Sequence, residues 1–187
     1  PERCKKLILA ATAAGAVMVP GKPKVLLRMA SPRRYIQPSY GVQIPADIYG
    51  GAFRRDPKLA TRHASKVRSG SKLGYYWQLF AGLGWTSIHW LHKIKQPTLV
   101  LAGDDDPIIP LVNMRLLAWR IPNSQLHIID DGHLFFVTRA ALVAPLIMDF
   151  LDEERKRAVI HPIPATLVAP GDEAEGALTD EAHHENP

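Results

Sequence analysis

Residues 97–133 read PTLVLAGDDDPIIPLVNMRLLAWRIPNSQLHIIDDGH, and this stretch decides the fold. Two short apolar runs, residues 98–102 and 126–129, have the length and texture of buried strands. The first runs into Gly103-Asp104-Asp105-Asp106-Pro107, the second into Asp130-Asp131-Gly132-His133. Between them, residues 110–120 place Leu111, Met114, Leu117 and Ala118 at helical spacing. Strand, helix and strand, with carboxylates and a histidine just past the strand ends, is how an open α/β sheet presents its chemistry.

Working outward, residues 6–12 (KLILAAT) read as another buried parallel strand, bounded by charge before and glycine after. Parallel strands need crossovers, and three strands are fewer than a stable doubly wound sheet normally has. The last strand alternates in part, with His127 expected to face outward. Residues 135–157 are expected to form one long helix with a stripe of Phe136, Ala140, Val143, Leu146, Ile147, Phe150 and Leu151. Its basic end suits the helix dipole.

Residues 15–96 have a different texture. Pro20, Pro23, Pro32, Pro38, Pro45 and Pro57 cut the first part into pieces, and no strand is convincing. Helices are expected at residues 24–30, 56–69, 73–83 and 87–93, the second with Asp56 as N-cap and Pro57 at its first position. So long a segment exceeds what a crossover needs and reads as an insertion that covers something. Trp77, Trp85 and Trp90 lie close together in it, either as core packing or as a binding surface. Residues 161–187 are rich in proline, glycine and acids and are expected to be a disordered tail. His183-His184 there is a weak metal pair without neighbouring ligands.

At 187 residues and 47% hydrophobic content the chain suits one core. One cysteine excludes an internal disulfide and suits a reducing compartment. No apolar run is long enough to span a membrane. The net charge of +5 is uneven: residues 22–95 hold 14 Lys or Arg against Asp47 and Asp56. That basic stretch could face nucleic acid, an anionic surface or simply water. The basic residues are dispersed and form no dense block, so no nucleic-acid partner is expected.

An aspartate after one strand and a histidine after the next can meet across the carboxyl edge of a parallel sheet. The carboxylate holds one ring nitrogen, so the other can take a proton from a nucleophile or a water. Asp106, fixed out of the helical region by Pro107, is the best acid, and His133 the base. Asp104 and Asp105 are expected to shape the turn. An ordinary acidic turn with a helix-capping histidine is the plain alternative. A hard-ion site built from Asp104, Asp105, Asp106, Asp130, Asp131 and His133 is another. The dyad needs a nucleophile. The order Ser, Asp, His belongs to hydrolases whose serine sits in Gly-x-Ser-x-Gly, and that pentapeptide is absent. Ser71 is out of register, no strand precedes it, and Cys4 stands before a strand.

The residues also carry a resemblance. Residues 38–59 (PSYGVQIPADIYGGAFRRDPKL), 74–110 (GYYWQLFAGLGWTSIHWLHKIKQPTLVLAGDDDPIIP) and 121–140 (IPNSQLHIIDDGHLFFVTRA) resemble the intracellular depolymerases of medium-chain-length poly(3-hydroxyalkanoate), members of the α/β-hydrolase superfamily. PERCKKLILAAT resembles the segment that follows their nucleophile helix. The resemblance covers roughly residues 1–160. It implies the C-terminal part of an α/β-hydrolase: a core strand in residues 1–14, a helical lid in 15–96 and the acid and histidine motifs in 97–158, while the tail expected in 159–187 departs from it. It implies a serine esterase with Asp106 as acid and His133 as base, and no cofactor or metal. The serine is expected upstream of Pro1, leaving this fragment inactive alone. Trp77, Trp85 and Trp90 are candidate contacts for the aliphatic polyester. The expected setting is cytoplasmic, at the surface of storage granules. A general esterase or lipase of the same fold, and a non-catalytic granule-surface protein, are the alternatives.

Overall fold

The computed structural model describes residues 3–33, 37, 40, 44–66 and 71–160. The chain divides into one unit of residues Pro1–Asp152 and another of Glu153–Pro187. The expected tail and His183-His184 lie outside the described residues.

Three strands form a parallel sheet in the order β1 (Leu7–Ala10), β2 (Thr98–Gly103), β3 (Ser124–Ile129). Leu7 pairs with Thr98 and Ala10 with Leu101; Thr98 pairs with Ser124 and Gly103 with Ile129. Every residue of β2 is buried, which is why its sequence is continuously apolar instead of alternating. Val100 and Ala102 face a cluster with Ala14, Leu91, Met114, Leu117 and Ile121. Leu99 and Leu101 face the opposite cluster, with Ile129, Phe135, Val143 and Phe150. The first cluster is closed by α6 (Leu111–Arg120) and the second by α7 (Phe135–Thr138) and α8 (Ala140–Ile160). Helices on both faces of a parallel sheet give the expected three-layer α/β core.

Residues 15–96 hold five helices among the described residues: α1 (Pro23–Met29), α2 (Pro45–Tyr49), α3 (Gly51–Arg55), α4 (Pro57–Lys66) and α5 (Lys72–Ala81). A 3-10 turn follows at Leu91–Lys93, in place of the longer helix expected there. This segment has its own small core of Val25, Ile44 and Ile48, closed by Ile108 from the loop after β2. Asp56 caps α4 as expected, its Oδ1 accepting from Lys58 N–H at 2.9 Å.

Three details differ from the sequence reading. The long C-terminal helix is interrupted at Arg139 (φ −122°) between α7 and α8. That break shifts the helical phase, so Phe135 is fully buried while Phe136 is exposed; within α8, Leu151 is exposed as well. On β3, Ile128 is exposed and His127 half-buried, so apolar character does not mark the covered face there.

Candidate active site

The site forms where the loops after β2 and β3 run side by side. Asp104 N–H donates to Ile129 O and Asp105 N–H to Asp131 O, both at 3.1 Å, extending the strand ladder past the sheet edge. Gly103 permits this approach: a Cβ there would stand 2.5 Å from Asp131 O and 2.6 Å from Gly132 O. The two loops are thus fixed against each other by backbone.

Asp106 and His133 meet at that junction. His133 Nδ1 lies 2.8 Å from Asp106 Oδ2. The other carboxylate oxygen accepts from Ile108 N–H and Ile109 N–H, each at 2.9 Å. One oxygen therefore holds the loop and the other holds the imidazole. The Asp106 side chain is 1% exposed, while the His133 side chain keeps 23%. With Nδ1–H donating to the carboxylate, Nε2 is left as the proton acceptor. The residues placed together by sequence reasoning are in hydrogen-bond contact.

The neighbouring aspartates do more than shape turns. Asp105 accepts from Gly51 N–H and from Arg54 Nη1, both at 2.7 Å, across 54 and 51 residues of sequence. Burial alone would raise the Asp105 carboxyl. The hydrogen bonds from Arg54 and Gly51, with the charges of Arg54 and Lys22, outweigh burial and hold it below its ordinary value. A depressed carboxylate contributes stability above its unfolded value and loses it as pH falls through the folded one. The α3 anchor is therefore expected to hold at neutral pH and to loosen below about pH 3.9. Hydrogen exchange at the Gly51 amide should accelerate there relative to its intrinsic rate; protection unchanged across that range would argue against the anchor. Asp130 is exposed and lies near Arg55 and Arg139. With these carboxylates engaged by N–H groups, guanidinium groups and an imidazole, no group of three or more His, Cys, Asp or Glu converges for a metal among the described residues.

No serine, threonine or cysteine among the described residues is hydrogen-bonded to the His133 ring. Ser71 serves as a helix cap instead, its Oγ accepting from Gly74 N–H at 3.2 Å at the start of α5. Ser71→Ala is expected to cost about 1 kcal/mol of stability, which a melting curve checks.

Beside the acid loop is an open, mostly apolar surface pocket of about 540 Å³, lined by Ala13, Gly15, Ala16, Met18, Leu26 and Gly82, among others. It also reaches Gly21, where a Cβ would stand 2.8 Å from Pro107 O and 2.6 Å from Ile108 O. The strap forming its wall is pinned at both ends. Gly15 bridges to Thr86, and the buried Asn113 amide exchanges two 2.8 Å hydrogen bonds with the Val19 backbone. Trp77, Trp85 and Trp90 are 63%, 56% and 53% exposed, and none lines this pocket. The pocket is not legible from sequence, because small residues far apart in the chain give no local pattern.

A parallel sheet with helices on both faces and an Asp–His pair past adjacent strand ends is hydrolase architecture, and the chain belongs to the α/β-hydrolase fold family, whose model matches residues 1–140. It is 80% identical over 166 residues to a poly(3-hydroxyalkanoate) depolymerase from Ectopseudomonas oleovorans, covering 89% of this chain and 59% of that protein. Among solved structures, an enol-lactonase from Burkholderia xenovorans superposes with a TM-score of 0.64 at 21% identity, over 80% of this chain and 57% of that one. A thermophilic esterase from Thermogutta terrifontis gives 0.61 at 26% identity, over 80% and 56%. The chain thus spans less than two thirds of the length of each of these relatives.

Proposed function

We propose that the chain carries the acid and base of a carboxylic ester hydrolase acting on medium-chain-length poly(3-hydroxyalkanoate). The observation that carries this reading is the 2.8 Å contact between His133 Nδ1 and Asp106 Oδ2. The 80% identity to a poly(3-hydroxyalkanoate) depolymerase supports the choice of substrate. The nucleophile is a serine outside residues 1–187, so these residues alone turn over no ester.

His133 Nε2 takes the serine proton as Oγ attacks the ester carbonyl. The imidazolium is stabilised by Asp106 and returns the proton to the departing hydroxyl oxygen. A water then gives its proton to Nε2 and its oxygen to the acyl-enzyme, which releases the hydroxy acid and restores the serine. No cofactor or metal takes part. The pocket beside Gly21 receives one aliphatic side chain, supported by its mostly apolar lining. Trp77, Trp85 and Trp90 meet the polymer outside it, supported by their exposure. The protein works in the cytoplasm at the surface of storage granules, and the exposed Leu73, Trp77 and Phe80 of α5 support contact with such a surface. No described helix is long and apolar enough to cross a membrane.

Two assays test this. The full-length protein should depolymerise medium-chain-length polyester and be labelled by a fluorophosphonate probe. Cleavage of short soluble esters alone would leave a general esterase and reject the polymer. Residues 1–187 alone should stay unlabelled; labelling would refute the placement of the serine.

A further inference from the structure

We propose that Asp131 is a positioning residue for His133, seating the base and joining it to the helical segment of residues 15–96; this rests on the ester-hydrolase reading above. Asp131 lies two residues before His133 and is 1% exposed, yet it touches neither Asp106 nor the His133 ring through any hydrogen bond. Burying a carboxylate is costly unless donors surround it. Here three do. Oδ1 accepts from Gly132 N–H at 2.7 Å and from Ala52 N–H at 2.5 Å. Oδ2 accepts from Thr138 Oγ1 at 2.5 Å. Two guanidinium groups add charge: Arg55 Nη2 stands 3.6 Å from Oδ1, and Arg139 Nε 3.6 Å from Oδ2.

These donors belong to three segments that bracket His133. Gly132 precedes it, Thr138 ends the helix after it, and Ala52 belongs to α3 of the helical segment. The His133 backbone is itself tied to that segment, its N–H donating to Tyr49 O at 2.7 Å. The imidazole can reach Asp106 only if the His133 Cα is held, and Asp131 gathers the groups that hold it. A carboxylate is suited because it accepts at both oxygens and donates nowhere. Asparagine keeps the bonds to one oxygen but turns an NH2 toward Arg139 and removes the charge. Alanine leaves Gly132 N–H and Ala52 N–H without their acceptor and turns the Thr138 hydroxyl back to Leu134 O, 3.1 Å away.

The test uses the full-length protein with Asp131→Asn, Asp131→Ala and Thr138→Val, each checked for folding by its melting curve. Turnover of a soluble p-nitrophenyl ester gives kcat and KM. Proton NMR reads the low-field Nδ1–H resonance of the His133–Asp106 bond, assigned by its loss in Asp106→Asn. Asp131→Ala is expected to lower kcat about 100-fold with KM within twofold, and to broaden the Nδ1–H signal by solvent exchange. Asp131→Asn should lower kcat about tenfold, with a weaker signal. If Asp131→Ala does not fold, Asp131→Asn and Thr138→Val decide. Folded variants with wild-type kcat and an intact low-field signal overturn the proposal. The NMR signal needs no substrate. If the wild type cleaves no ester, the hydrolase reading fails, and the signal in the variants still shows whether Asp131 seats the ring.

Discussion

His133→Ala in the full-length protein is expected to lower kcat for ester cleavage by about a million-fold. Asp106→Asn should cost about 10⁴-fold. The reasons differ. Without His133 nothing accepts the nucleophile's proton. With asparagine at position 106, Oδ1 can still hold Ile108 N–H and Ile109 N–H, which it bonds at 2.9 Å in the native chain. The loop then survives, but the partner of Nδ1 becomes neutral and favours the wrong tautomer. KM should move little in either case, because the dyad bonds to itself and to its loop. Asp106→Ala should add a stability loss, since two backbone donors would lose their acceptor. Steady-state kinetics and melting curves on the three variants separate these effects. Turnover by Asp106→Asn within tenfold of wild type would remove Asp106 from the acid's role.

The second large effect concerns stability. Gly132→Ala is expected to cost about 3 kcal/mol or more, which lowers the melting temperature by about 6–12 °C at this chain length. A Cβ on Gly132 would stand 1.8 Å from Tyr49 O and 2.7 Å from Gly50 C. Both obstacles are backbone, and neither can move aside freely. Tyr49 O accepts from His133 N–H, and Gly50 N–H donates to Ala46 O. Gly51→Ala should be similarly harmful, for two reasons. Its Cβ would stand 1.9 Å from Asp131 Oδ1, and its φ of +48° disfavours a side chain. Gly74→Ala is the control. It lies within α5, its nearest obstacle is 3.5 Å away, and removing a helical glycine should be neutral or stabilising by up to about 1 kcal/mol. Thermal melts of the three variants check the contrast. A Gly132→Ala chain as stable as wild type would mean that the base loop does not pack on α2 as described.

The strands are legible in the sequence because β2 is buried on both faces, and nothing but an apolar run can occupy such a position. The Asp106–His133 pair is legible because the β-α-β unit places the ends of adjacent parallel strands together. The helices α2 and α3 are not. Each is five residues long, and propensity cannot support so short a helix alone. They are held by Ile108, Asp105 and Asp131, residues far along the chain. For the same reason Asp105 reads as a turn former, although Gly51 and Arg54 bond to it from 54 and 51 residues away. A single helical period carried across residue 139 selects Phe136 over Phe135, and the backbone breaks that period at Arg139.

The attachment of residues 49–52 to both loops has a wider consequence. That part of the insert is bonded to the acid loop through Gly51 and to the base loop through Tyr49 and Ala52. It behaves as masonry shared by the two walls of the site, so a hinge has no room there. α5, by contrast, buries no residue and takes no part in those bonds. A change within α5 therefore leaves in place every bond by which residues 49–52 hold the acid loop against the base loop.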